Sequence, residues 1–364
     1  MTAPSLTLGC ILLGFSPTAS LLFMVVLRKP QLVILAVCSA FAYLLSALLS
    51  STVWLVTSSI GAVGGGGGST SGVGTAISIA VPGVACQMLL RILFVKTYFK
   101  VESVIRGSVE RHEKETREAA AASGAGGAGN SAAGAEDAHA ETDALQLQLN
   151  DTSCGLASGC GYALLHSLLL YGTLLASESG ESSSYSDGAY GGGGGSTGHG
   201  GTLYQSSCGG VPSVVNGALV CCMFGILDVV WMMMCFWGVR RRTAAAVAAR
   251  GRPGPGGGTA AQVCTALALG RVDDGPAGGS AALVVAAATH LAASLALVPN
   301  GYRDGYRDGC RISLPLLGLV VVWSAVLLRR MTAGRFLPED QRRRIQGMRL
   351  GLRDVGVGQS HHVE

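Results

Sequence analysis

Seven long apolar stretches divide the chain, and no other feature limits its possible folds as strongly. They cover about 5–27, 31–57, 73–95, 153–176, 211–239, 281–298 and 312–328. Each meets or approaches the ~20 residues that a helix needs to cross a hydrocarbon core of ~30 Å. Because the runs are continuous rather than alternating, and the bilayer core has no water for unpaired backbone groups, they predict helices rather than barrel strands.

The composition agrees with a chain that lies in a membrane. Hydrophobic residues make up 49% of it and charged residues only 13%, with a mean hydropathy of +0.44. A net charge of +4 is small for 364 residues and gives no support for nucleic-acid binding. We therefore predict an all-α membrane protein with seven transmembrane helices.

The distribution of Lys and Arg predicts the orientation of these helices. Of the 26 basic residues, 22 lie in the first, third and fifth connections and the C-terminal tail, and three lie in the other connections. By the positive-inside rule the N-terminus is lumenal and the C-terminus cytosolic. The N-terminal apolar run has no basic region before it, so we expect a first helix rather than a cleaved signal peptide.

Low-complexity sequence enlarges three of the connections. We divide the chain into a transmembrane domain, 1–330, and a cytosolic polar tail, 331–364, with Gly/Ala/Ser-rich inserts at about 118–140, 181–201 and 250–280. The inserts contain almost no large apolar side chain that could offset the entropy of ordering them. We therefore expect them to be disordered.

The cysteines give no evidence for a metal site. Most of the eleven lie in predicted helices as small apolar fillers, and no CxxC pattern indicates zinc or redox chemistry. Cys208 and Cys310 both fall in predicted lumenal connections, where oxidation is possible, and so are candidates for a disulfide bond. We expect no metal and no cofactor.

The fourth helix carries the clearest packing signal. Gly155, Gly159 and Ala163 recur every four residues and form one shallow face. Apolar burial does not drive helices together in lipid, so such faces gain association energy from close van der Waals contact. We predict that this face packs against another helix.

Four ionisable residues lie at membrane depth. A charged Arg or Asp at mid-bilayer costs ~2.5–3.5 kcal/mol on insertion scales, so each should face protein or water. Arg91 precedes Lys96 by only five residues and can extend toward the cytosolic interface or make a polar contact inside the bundle. We expect His166 to be neutral, hydrogen-bonded and structural. Asp228 and His290 lie well inside their helices, and both structural and functional roles remain open.

The order of residues along these helices resembles the anterior-pharynx-defective (Aph-1) family, the seven-helix scaffold subunit of γ-secretase. In the first two helices the match is carried by Gly9, Cys10, Phe15, Pro17, Leu21, Pro30, Val33, Ile34, Val37, Ala40, Phe41, Leu44, Ser46, Leu48, Leu49, Ser51, Val53 and Trp54. It continues at Arg91, Lys96, Lys100, Gly155, Gly159, Ala163, Trp231, Thr289, His290, Leu291, Asn300, Tyr302, Ser313, Leu314 and Pro315.

The resemblance implies a non-catalytic subunit that assembles with presenilin, nicastrin and the presenilin enhancer into an intramembrane aspartyl protease. It implies a role in protein processing and Notch signalling, and a place in endoplasmic reticulum, Golgi, endosomal or plasma membranes. No catalytic residue, cofactor or small-molecule substrate is expected. The helix-packing residues, which we expect to hold helices of partner subunits in place, would be Gly155, Gly159 and Ala163, and the intramembrane polar contacts would be His290, Asp228 and Arg91.

The chain departs from the family pattern of two membrane-buried histidines, on the fifth and sixth helices. Only the second is present, as His290. Asp228 takes the first position if Trp231 sets the register, and Met234 takes it if Phe236 sets it. An aspartate could still form a charge-assisted pair with His290, whereas a methionine could not.

Two other classes of protein remain as alternatives. A stand-alone intramembrane hydrolase could use Ser158 with His290, although Leu156 stands where the rhomboid-like pattern has Gly and no oxyanion hole is evident. An aspartyl protease needs two carboxylates, and only Asp228 is predicted to be buried. A receptor or transporter would share the seven-helix layout, but the chain lacks their helix-end motifs and inverted repeats.

Overall fold

The computed structural model describes residues 4–59, 72–122, 151–181, 211–249, 276–298 and 309–332. Seven α-helices contain nearly all of these residues: α1 (Pro4–Leu21), α2 (Pro30–Ser59), α3 (Gly72–Ala122), α4 (Asp151–Glu181), α5 (Ser213–Ala249), α6 (Pro276–Ala296) and α7 (Gly309–Thr332). All seven are long and apolar enough to cross a membrane. The predicted all-α, seven-helix membrane fold is confirmed, whereas the orientation of the termini stays a prediction.

The first two helices are joined by a short connection with identifiable local causes. A π-helical segment, Leu22–Val26, continues α1, and the Leu27 N–H donates a hydrogen bond to the Leu22 carbonyl at 2.9 Å. Pro30 then begins α2, where its missing N–H is no loss and its fixed φ suits the first turn. Two membrane helices are thus connected by only a few residues.

Two helices extend beyond the apolar runs that predict them. The third run ends at 95, but α3 continues to Ala122, and the fifth run ends at 239, but α5 continues to Ala249. Hydropathy detects only the part of a helix that lies within the membrane, whereas Glu, Lys, Arg and Ala propagate a helix well in water. Lys114 and Glu118 also form an exposed i,i+4 ion pair at 3.7 Å.

The fifth helix is the centre of the bundle. It packs against α1, α3, α4, α6 and α7, while α2 packs against α3 and α4. In its most apolar window 72% of the residues are buried, compared with 22% in α1, α3 and α7. The side chains of α5 are therefore the ones that any interior site must use.

Three predictions fall largely outside the described residues. Most of each low-complexity insert lies there, as does the polar tail from 333 onward. Cys310 is disulfide-bonded, while the other described cysteines are free thiols. Cys208 is not among the described residues, so its pairing with Cys310 stays a prediction.

Candidate functional site

A buried carboxylate on α5 connects three helices. Asp228 is fully buried, and its Oδ1 accepts a hydrogen bond from Nη2 of Arg91 on α3. Its Oδ2 accepts a hydrogen bond from Nδ1 of His166 on α4 at 2.6 Å. Each carboxylate oxygen therefore has its own donor, which is what a charge inside a membrane bundle requires.

Arg91 is held inside the bundle by aromatic rings as well as by Asp228. Its Cζ lies 4.1 Å from the ring centroid of Tyr162 and 5.1 Å from that of Trp231, within the range of cation–π attraction. Because its side chain is fully buried, Arg91 does not extend to the interface, which was one of the two positions that the sequence left open. The carboxylate of Asp228 gives the guanidinium group of Arg91 a counter-charge and a hydrogen-bond acceptor inside the protein, which water and lipid headgroups would give it at the interface.

Tyr162 extends this polar network to α2. Its hydroxyl lies 3.2 Å from Oγ of Ser46 and 3.5 Å from the Gln87 carbonyl, to which it donates. The ring of Tyr43 packs edge-on against Tyr162 with centroids 4.9 Å apart and stacks with His166 at 5.0 Å. Helix α2 is therefore joined to the same interior cluster as α3, α4 and α5.

Trp231 connects the network to α6. Its Nε1–H donates a hydrogen bond to Oγ1 of Thr289 at 3.0 Å, and the ring of His290 stacks on it with centroids 4.1 Å apart and an interplanar angle of 26°. Two consecutive residues of α6 thus contact the N–H and the ring face of one indole. Thr289 and His290 are two of the residues that carry the family resemblance, and this contact gives both of them a structural role.

The pair that Asp228 could have formed with His290 is absent. Both oxygens of Asp228 are occupied by Arg91 and His166, and Nδ1 of His290 is buried without a hydrogen-bond partner. The indole of Trp231 takes the His290 ring instead. Met234 is 1% exposed within the apolar core, and which residue replaces the family's first histidine stays a prediction.

The small-residue face of α4 packs against α5 of the same chain. A Cβ at Gly155 would lie 3.5 Å from Cγ of Met233, and a Cβ at Gly159 would lie only 2.7 Å from Cα of Val229. Ala163 is fully buried. The face is thus covered by the central helix of the same chain, so the expectation that it holds a helix of a partner subunit is wrong, because no open groove is left for one.

Other close approaches involve glycines that the sequence interpretation missed. A Cβ at Gly161 would collide with the Ala36 carbonyl and would lie 2.5 Å from Oγ of Ser39, both on α2. A Cβ at Gly238 would lie 2.9 Å from the Gly279 carbonyl, where α5 meets α6. Residues two apart point to different sides of a helix. The sequence Gly159-Cys160-Gly161 could therefore have indicated that α4 approaches a neighbouring helix closely on each of two sides.

A second charged cluster, also missed, lies at one end of the bundle. Arg240 donates from Nε to Oδ2 of Asp151 at 2.8 Å and from Nη2 to Oε2 of Glu102 at 2.9 Å. Its Cζ lies 4.2 Å from the ring centroid of Phe99. Glu102 and Phe99 belong to α3, Asp151 begins α4 and Arg240 belongs to α5, so the cluster joins three helices to one another.

The alternative hydrolase pair is not assembled. Oγ of Ser158 and Nδ1 of His290 are both buried without a hydrogen-bond partner, and their helices, α4 and α6, each pack against α5. A nucleophile requires a base within hydrogen-bond reach. Across the described ranges, no group of three or more His, Cys, Asp or Glu could hold a metal ion.

Comparison with known proteins gives an independent line of evidence. A family model described as Aph-1 protein matches residues 5–250, which contain α1 to α5 and amount to more than half of the chain. None of the curated proteins matches the chain. The extent of the family match, together with seven helices able to span a membrane, shows that the chain belongs to the Aph-1 family and is a multi-pass membrane component of γ-secretase.

Proposed function

We propose that this protein is the non-catalytic scaffold of a γ-secretase-like intramembrane aspartyl protease. It would assemble with presenilin, nicastrin and the presenilin enhancer, and so would contribute to protein processing and Notch signalling. Its place would be in endoplasmic reticulum, Golgi, endosomal or plasma membranes. Membership of the Aph-1 family supports the complex, and the interior of the bundle supports the scaffold role.

The observation that carries the proposal is that the buried carboxylate of Asp228 is bound by other side chains of the bundle. Asp228 is the one fully buried acidic residue in the part of the chain that the structure describes, and Arg91 and His166 bind both of its oxygens. Aspartyl proteases need two carboxylates that share a proton and face substrate. A single carboxylate fixed by an arginine suits a structural role.

The way the helices are joined also suits a support for other subunits. The networks centred on Asp228 and Trp231 connect α2, α3, α4, α5 and α6, and close glycine contacts lock α4 and α5 together. Polar contacts and small-residue packing are the interactions that stabilise helix assemblies in lipid. The outer helices are thereby held in a fixed arrangement that partner helices could recognise.

Affinity purification of the tagged chain in mild detergent, with identification of the co-eluting membrane proteins, tests this proposal. We expect presenilin, nicastrin and the presenilin enhancer to co-elute. A chain that elutes alone and cleaves substrates by itself would exclude the scaffold role. Substrate-dependent flux in proteoliposomes containing only this chain would instead favour a transporter.

A matched pair of glycine variants tests whether assembly depends on the interior packing. Gly159→Leu forces a side chain against Val229, and we expect it to abolish co-purification of the partners while the chain still inserts. Gly172→Leu is the control, because a Cβ at Gly172 of the same helix meets nothing within 4 Å. Equal co-purification by both variants would show that assembly does not depend on the α4–α5 contact.

A further inference from the structure

Two lysines interrupt an apolar face on the outside of α3. Lys96 and Lys100 are exposed and are spaced i,i+4, so they share one side of the helix. Leu89 and Leu93 precede them on this side and are 58% and 54% exposed, and Val104 follows them at 62%. The two cations are therefore flanked by lipid-facing apolar side chains.

The neighbouring helix shows how deep these lysines lie. A Cβ at Gly83 would lie 3.5 Å from Oγ of Ser50, and these positions set the register between α2 and α3, which run antiparallel. At a rise of 1.5 Å per residue, Lys96 is level with Val37, about 10 Å along α2 from Pro30. Lys96 therefore lies farther into the membrane than the Pro30 end of α2, level with exposed apolar residues that face lipid.

Neither lysine forms an ion pair with any residue that the structure describes. Glu102, the carboxylate closest in sequence, binds Arg240 instead. Long apolar stems allow lysine ammonium groups to reach toward the headgroup region while the stems stay in the hydrocarbon. At this depth, none of the described carboxylates supplies a counter-charge for the two ammonium groups.

We propose that Lys96 and Lys100 bind the headgroup of an anionic phospholipid whose acyl chains lie along the outer faces of α2 and α3. The phosphate would accept hydrogen bonds from both ammonium groups. The acyl chains would contact Leu93 on α3 and, on α2, Val37 and Phe41, which are 64% and 60% exposed. Two flexible cations above a continuous apolar surface match the shape and charge of such a lipid.

The test uses the full-length chain, purified in nanodiscs containing phosphatidylcholine with phosphatidylserine, and native mass spectrometry of the retained lipids. We expect phosphatidylserine to be retained about tenfold over phosphatidylcholine, and the double variant Lys96→Gln/Lys100→Gln to remove this preference. Arg329→Gln is the control, because Arg329 is an exposed cation at the end of α7. We expect it to leave retention unchanged.

The opposite results are equally definite. If the double glutamine variant retained phosphatidylserine at the wild-type level, Lys96 and Lys100 would not form the site. If Arg329→Gln lost as much phosphatidylserine as the double glutamine variant, the preference would come from basic residues all around the bundle. Glycerophosphoserine has no acyl chains. If it displaced the lipid, the apolar contacts with the acyl chains would not contribute to binding, and that part of the proposal would be wrong. A membrane protein with an acidic helix that replaces the lipid at these lysines would also overturn the proposal.

A folding defect can be separated from a binding defect. Lys96→Arg/Lys100→Arg keeps both charges, and we expect it to retain phosphatidylserine at the wild-type level. If the double glutamine variant fails to fold, the lipid preference of the wild-type and double arginine proteins still decides the question. No γ-secretase partner is needed, so the outcome is independent of the scaffold proposal.

Discussion

Arg91 and Asp228 lie 137 positions apart in the chain and form an ion pair that is fully buried on both sides. One belongs to the long third helix and the other to the central fifth helix. Each alone would be costly at membrane depth, and together they are neutral and hydrogen-bonded. The pair therefore makes the position of α3 depend on α5.

Asp228→Asn is expected to destabilise the folded bundle by about 3–5 kcal/mol, because it leaves the buried guanidinium of Arg91 without a counter-charge. The measurement is the unfolding free energy in mixed micelles during titration with a denaturing detergent. The double variant Arg91→Met/Asp228→Leu removes both charges and should recover most of this loss.

An exposed pair is the control for this series. Lys114 and Glu118 are 77% and 68% exposed, so Lys114→Met should change the unfolding free energy by less than ~0.5 kcal/mol. If Asp228→Asn unfolds like wild type, then Arg91 is not held by this carboxylate in the folded protein.

Gly161→Ala is expected to destabilise the contact between α4 and α2. Its new methyl group would collide with the Ala36 carbonyl, so backbone must move, at a cost of about 1–3 kcal/mol. Thermal unfolding followed by circular dichroism measures the effect. Gly172→Ala, at an open position of the same helix, should match wild type or exceed it slightly, since Ala favours helix.

Thr289→Val is expected to weaken the attachment of α6. The substitution keeps the side-chain shape but removes the acceptor of the Trp231 indole N–H, and an interhelical hydrogen bond in a membrane bundle is worth about 0.6–1.7 kcal/mol. Unfolding monitored by tryptophan fluorescence gives the measurement. Thr173→Val, which alters an exposed hydroxyl bonded only to its own helix, should have little effect; a loss as large as that of Thr289→Val would refute the assignment.

Arg240→Gln should loosen one end of the bundle. It leaves the carboxylates of Glu102 and Asp151, which are 17% and 10% exposed, without their shared cation. We expect hydrogen exchange around 98–104 and 151–157 to become about tenfold faster, which corresponds to ~1.4 kcal/mol. Arg242→Gln removes an exposed charge from the same helix and serves as control; similar acceleration in both variants would argue against the cluster.

The helices were the most predictable part of this protein. Length and apolarity locate a membrane helix because the bilayer imposes both, and all seven predicted helices are present. Their ends were less predictable: α3 continues to Ala122 because polar residues such as Glu115 and Lys114 sustain a helix in water, beyond the part that hydropathy detects.

The candidate site was predictable only as a set of residue types. Arg91, Asp228 and His290 stood out because ionisable groups are rare at membrane depth, but the Asp228–His290 pair that the sequence allowed is not formed. Arg91 and His166 are the residues that bind Asp228, and for His166 the sequence supported only a structural, hydrogen-bonded role. The partner of a buried charge depends on which helices are neighbours, which hydropathy does not report.

The sequence by itself determined that the chain crosses the membrane seven times, that it resembles the Aph-1 family, and which few polar residues must be buried. These properties follow from local composition, since each helix satisfies its own backbone in lipid. Only the tertiary structure decided that α5 is central, that Gly159 meets Val229, and that Arg91 pairs with Asp228. Such choices depend on the rotation and register of whole helices, which are set by side-chain contacts between distant parts of the chain.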